Sequence, residues 1–128
     1  MNSMSSLMGG VMAIIQAHPV CKRAKVMETK AFSQDQFFFK LRAELIGGNN
    51  FQVRIYFNQG YIDYAYQLFA HVPFLRWDNK EEFQHIATYP HHLHDEQGKV
   101  KPSPLTGDPV KDIEVVLQEV LAFISEKS

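Results

Sequence analysis

At 128 residues the chain holds one domain's worth of sequence, long enough to close a hydrophobic core without disulfide or metal staples. Hydrophobic residues make up 45% and charged residues 21%, ordinary for a globular protein, and a net charge of −1 confines any polyanion-binding surface to a local patch. The single cysteine, Cys21, excludes an internal disulfide framework, fits a reducing cytoplasm, and precedes the patterned region where a catalytic thiol would be sought.

The first stretch, residues 1–20, reads MNSMSSLMGGVMAIIQAHPV. Its apolar run, Val11 to Ile15, is far too short to span a bilayer. A secretory signal needs basic residues ahead of the apolar run, and here Lys22 and Arg23 follow it. Residues 1–20 are therefore expected to form a short helical appendage ending near His18-Pro19, with the apolar run free to meet a partner. Residues 21–128 are expected to form a single α+β domain with no membrane contact.

From Cys21 the pattern has a period of two. Val26, Glu28 and Lys30 alternate with Met27, Thr29 and Ala31, an edge-strand signal. In Phe37 to Ile46 the alternation is clear: Phe37, Phe39, Leu41, Ala43 and Leu45 on one face, Lys40, Arg42 and Glu44 on the other. Gly47-Gly48-Asn49-Asn50 predicts a turn. A third strand follows with Phe51, Val53, Ile55 and Phe57 inward, and Asn58-Gln59-Gly60 closes a second hairpin. Tyr61 to Phe69 places Ile62, Tyr64, Tyr66 and Leu68 on one side, and after a loop at His71-Val72-Pro73 a fifth strand sets Leu75 and Trp77 against Arg76 and Asp78. Short connections imply an antiparallel meander of about five strands.

The last element is a helix. Asp108 suits the cap and Pro109 the first helical position. Val110, Ile113, Val116, Leu117, Val120, Leu121 and Ile124 form a stripe at helical spacing, with Lys111, Asp112, Glu114, Gln118 and Glu119 opposite. The stripe is expected to pack on the apolar face of the sheet.

The other face then collects Lys40, Arg42, Arg54, Tyr56, Gln67 and Arg76, with Glu44, Asp63 and Asp78 among them. Cations interleaved with an aromatic suit a nucleic-acid backbone and a stacked base, and Lys40, Arg42, Arg54 and Tyr56 are the candidate contacts. The plainer reading is a solvated face with weak cross-strand ion pairs.

Between Phe74 and Asp95 lie four of the six histidines and the only tryptophan. His92 and His94 project to one side if the segment is extended. A metal site would find ligands there, yet paired cysteines and any established ligand spacing are missing, so neither metal nor cofactor is expected. As an acid–base site, histidines near Arg76 would move protons in RNA cleavage while the arginine steadies phosphate charge. As structure, they are hydrogen-bonded loop residues after the rigid turn Tyr89-Pro90.

The progression Tyr64-Ala-Tyr-Gln, Arg76-Trp-Asp-Asn79 and Thr88-Tyr-Pro-His-His-Leu-His94, then Gly98 and Pro-Ser103, resembles the TumE family over roughly residues 22–126. These are small toxins encoded beside a DNA-binding antitoxin in prokaryotic type II toxin–antitoxin pairs. The resemblance implies growth inhibition, a cytoplasmic setting and a neutralising antitoxin; a homodimer is left open. Three departures stand out: Leu93 replaces a lysine, Ala65 and Gln67 replace a serine and a histidine, and Lys80-Glu81-Glu82-Phe83 replaces a proline- and histidine-rich stretch. The chemistry expected is metal-independent RNA cleavage, with His92 and His94 as acid and base, His91 beside them, Arg76 as phosphate clamp and Asp78 as its orienter. The alternative is a non-enzymatic module that blocks a protein or nucleic-acid target.

Overall fold

Period-two alternation from Phe37 onward becomes the central strands of a sheet in the computed structural model, which describes residues 3–127. Residues 1, 2 and 128, the ends of the expected appendage and domain, lie outside the described residues. In chain order the elements are α1 (Met4–Ala17), β1 (Cys21–Ser33), β2 (Gln36–Leu45), β3 (Asn50–Asn58), β4 (Tyr61–Phe69), β5 (Pro73–Asp78), β6 (His92–His94), β7 (Val100–Pro102) and α2 (Pro109–Lys127). The sheet is an antiparallel meander in which each strand pairs with the next in sequence. The fold is α+β as expected, but it has seven strands rather than about five. β6 and β7 have three residues each, too few to show an alternation.

One face of the sheet is apolar throughout. Phe37, Phe39, Leu41, Ala43 and Leu45 of β2 and Phe51, Val53, Ile55 and Phe57 of β3 are all buried, as are Tyr64, Tyr66, Leu68, Leu75 and Trp77 beyond them. Ile113, Val116, Leu117 and Val120 of α2 join this core, and the Trp77 indole N–H donates to Glu119 Oε2 at 2.9 Å. Asp108 caps α2 by accepting the Val110 N–H at 3.1 Å, and Pro109 holds the first helical position.

Two expectations about the helices give way. Leu7, Val11 and Ile15, spaced by four along α1, are buried in the common core, so the run Val11 to Ile15 is not free for a partner. Asp112, expected on the solvated side of α2, is 2% exposed. Its carboxylate accepts from the Thr106 N–H, the Thr106 hydroxyl and the Gly107 N–H at 2.8–3.1 Å, which fastens the preceding loop to the helix's first turn. Among the described residues no helix is long and apolar enough to cross a membrane.

The turns follow residue chemistry. Gly47 and Gly48 hold φ of 75° and 78° between β2 and β3, where a side chain would be strained. Among the described residues only β1 leaves a long edge unpaired, and Val26, Met27 and Phe32 are exposed along it.

Candidate functional site

Strand register builds the site. Asp78 of β5 stands opposite His92 of β6, and Arg76 stands opposite His94. Since alternate residues share a face, all four side chains rise from the side of the sheet that the helices leave uncovered. The segment between the two strands returns through cis Tyr89-Pro90. Thr88 Oγ1 fixes that return, donating to the His91 carbonyl at 2.6 Å and accepting the Ser103 N–H at 2.9 Å.

Asp78 is the hub. Its Oδ1 lies 2.9 Å from His92 Nε2 and accepts the Lys80 N–H at 3.0 Å. Its Oδ2 accepts from Arg76 Nε at 2.9 Å and lies 3.6 Å from His94 Nε2. His92 Nδ1 is 3.0 Å from the Pro90 carbonyl, and the Nε2 atoms of His92 and His94 are 3.1 Å apart. Phe83 meets both imidazoles edge to face, with centroids 4.8 and 5.7 Å away. Asp78 and His92 are buried, whereas the His94 side chain is 31% exposed and that of Arg76 42%. Burial, above all, holds the His94 pKa below the usual histidine range; His92 and Arg76 push the same way, and Asp78 and Glu82 oppose them. That shift favours the neutral ring, which keeps one nitrogen lone pair.

His91 stands apart from this group. One residue out of step with His92, it turns to the other side of the sheet, where its Nδ1 lies 2.7 Å from the Tyr64 hydroxyl and its ring stacks on that tyrosine. It also fills the space beside Gly107, where an added Cβ would come within 3.3 Å of the ring. Burial lowers its pKa, aided by His92 and opposed by Asp112. The expectation that His91 shares a site with Arg76 is corrected by this parity.

Asn79 had no role in the sequence reading beyond its place in a motif. It is buried, donates to the Ile62 carbonyl at 2.7 Å and accepts the Tyr64 N–H at 3.0 Å. Its amide thus continues the β4–β5 ladder one step past the last paired residue and fixes where Asp78 points.

The four candidate nucleic-acid contacts share the uncovered face but are not alike. Arg54, Tyr56, Arg76, Asp78 and Lys80 line one cleft of about 250 Å³. Its floor includes Ala65, which lies in register between Arg54 and Asp78. Arg54 covers the Phe38 ring at 5.6 Å, and Gln36 donates to the Tyr56 hydroxyl at 2.7 Å. Arg42 belongs to a second hollow, where it donates to Gln52 at 2.6 Å and covers Phe69 at 5.5 Å. Lys40 lies 3.7 Å from Glu28 of β1.

The cleft has an anion-attracting wall, and the two histidines adjoin it through Asp78. Arg76 can meet a phosphate, and His94 can accept a proton from a group held beside it. Among the described residues, Asp78, His92 and His94 also bring their ligand-type atoms within 4.8 Å of one another. The family profile described as Toxin TumE matches the sequence over residues 12–128, nearly the whole chain. No curated protein and no solved structure matches it.

Proposed function

The chain belongs to the TumE toxin family, and from that premise we propose that it is the toxin half of a type II toxin–antitoxin pair that arrests growth by cleaving RNA in the cytoplasm. The observation that carries this reading is the presence of Arg76 and Asp78 in one cleft with Arg54 and Tyr56, while His94, outside that lining, stands 3.6 Å from Asp78. Arg54 and Tyr56 would hold the backbone and a stacked base; Arg76, its Nε engaged by Asp78, would turn its remaining donors to the scissile phosphate. His94 would take the proton of the attacking hydroxyl. His92, buried and 3.1 Å from His94, would act through it rather than touch RNA, with Asp78 holding both rings.

A neutralising antitoxin would find apolar surface along β1, where Val26, Met27 and Phe32 are exposed beside an unpaired strand edge. The blocking module remains the second reading. It is favoured by the Arg42–Phe69 hollow, which extends the cationic–aromatic surface away from the histidines.

Inducible expression of the native chain and of His94→Ala, Arg76→Ala and His92→Ala, matched for protein level, separates the two. Cleavage predicts growth arrest with RNA decay for the native chain and loss of both in His94→Ala and Arg76→Ala. Arrest retained in all three variants, with intact RNA, hands the function to a blocking surface.

A further inference from the structure

The Nε2 atoms of His92 and His94 converge on the Asp78 carboxylate, and the hydrogens of two neutral rings leave one of these contacts without a donor. The Pro90 carbonyl can only accept, so His92 Nδ1 carries a hydrogen. In the neutral ring this leaves His92 Nε2 with a bare lone pair, aimed at Asp78 Oδ1 2.9 Å away and at His94 Nε2 3.1 Å away. His94 Nε2 in turn lies 3.6 Å from Asp78 Oδ2. A His94 ring with its hydrogen on Nε2 can donate to His92, but the His92 Nε2–Asp78 Oδ1 contact still brings two acceptors together unless an added proton or a cation sits between them.

We infer that Asp78, His92 and His94 form a mononuclear site for a divalent transition-metal ion of the zinc type. Imidazole nitrogen and carboxylate oxygen are the donors such an ion takes, and three protein ligands with an open position are the pattern of its catalytic sites. Donor atoms about 2.0–2.1 Å from one ion stand roughly 2.8–3.4 Å from each other at octahedral or tetrahedral angles. The Nε2–Nε2 distance of 3.1 Å and the 2.9 Å from His92 Nε2 to Asp78 Oδ1 fall in that range. His94 Nε2 faces the other oxygen, Oδ2, at 3.6 Å. With one donor atom per residue the set lies within 4.8 Å, so the carboxylate or the His94 ring must shift slightly to close on an ion.

The surroundings supply what a ligating histidine needs beyond the ion. The Nδ1–H bond of His92 to the Pro90 carbonyl selects the tautomer with Nε2 free, and Phe83 holds both rings from the side. Two neighbouring positive features work against the ion: the Arg76 guanidinium on Asp78 Oδ2 and the Lys80 N–H on Oδ1. Each leaves its oxygen with further acceptor capacity, so they moderate affinity without closing the site.

An ion here departs from the metal-free chemistry expected from the sequence. Its bound water would replace the His94 ring as the group presented to RNA. That use rests on the cleavage reading above; binding of the ion does not.

The tag-free chain, stripped with chelator and dialysed, is titrated with Co2+ alone and followed by visible absorption, then back-titrated with Zn2+. The expected result is one ion per chain, displaced by Zn2+, with affinity reduced at least about tenfold in His94→Ala and His92→Ala and unchanged in His71→Ala, a histidine in the β4–β5 turn. His94→Ala decides the matter because its side chain is partly exposed and the variant is the safer of the two to fold, which circular dichroism checks. Failure to form a one-to-one complex at up to millimolar Co2+, or unchanged affinity in His94→Ala, overturns the site. RNA decay is read separately, with and without chelator. Metal binding without RNA decay sinks cleavage and keeps the site; RNA decay undiminished in chelator, with no ion bound, does the reverse.

Discussion

Asp112 shows how far one side chain's role depends on its neighbours. By helical spacing it belongs to solvent, yet it is buried and takes four hydrogen bonds, counting both oxygens facing the Thr106 N–H. Removing the carboxylate leaves the donors of exposed Thr106 and half-buried Gly107 without their partner. Asp112→Ala is therefore expected to cost about 1–3 kcal/mol, the cost of a partly buried donor left unpaired, while the exposed Thr106 donors turn to water. Urea melts measure this, and a loss under about 1 kcal/mol would mean that the loop re-pairs by itself. The same residue marks a limit of sequence reading. Nothing in a 3.6-residue period distinguishes a solvated aspartate in a first turn from one folded over by its own preceding loop. His91 marks a second limit: four histidines in ten residues read as one cluster, but a single step of strand parity sends His91 to Tyr64 and His92 to Asp78. That parity became visible only with the pairing of β5 and β6.

Among the elements, legibility followed length. β2, β3, β4 and β5 present enough alternating residues to declare both faces, and each named inward residue from Phe37 to Phe57 is buried. β6, His-Leu-His, has one apolar residue, so pairing rather than pattern makes it a strand. α1 was legible as a helix but not as core, because its buried residues recur only every fourth position among methionines and glycines. That placement is testable. Ile15→Ala in α1 and Leu117→Ala in α2 remove fully buried side chains and are each expected to cost about 2–5 kcal/mol in denaturant melts. A free N-terminal appendage would make the first substitution nearly silent, and an undocked C-terminal helix would do so for the second.

At the scale of the whole molecule, a single tryptophan lies where the sheet meets α2. Trp77 is fully buried and bonded to Glu119, one strand position from Asp78. Its fluorescence should shift to the red in one cooperative step that coincides with the loss of far-ultraviolet circular dichroism. Two separated transitions would show that the sheet and helices do not unfold together.

α1 and α2 pack against each other and against the same apolar face, so α1, made before the sheet, completes its packing only with α2, made after it. On the ribosome, the strands carrying Arg76, Asp78, His92 and His94 emerge before the helix that covers their other side. Until residues up to Val120 have left the exit tunnel, the nascent sheet lacks its lid and has not reached its folded energy minimum. For a growth-inhibiting protein this sets a built-in delay. The site becomes rigid only after α2 has joined the sheet, which gives any partner that binds the unfinished fold an interval in which to meet it.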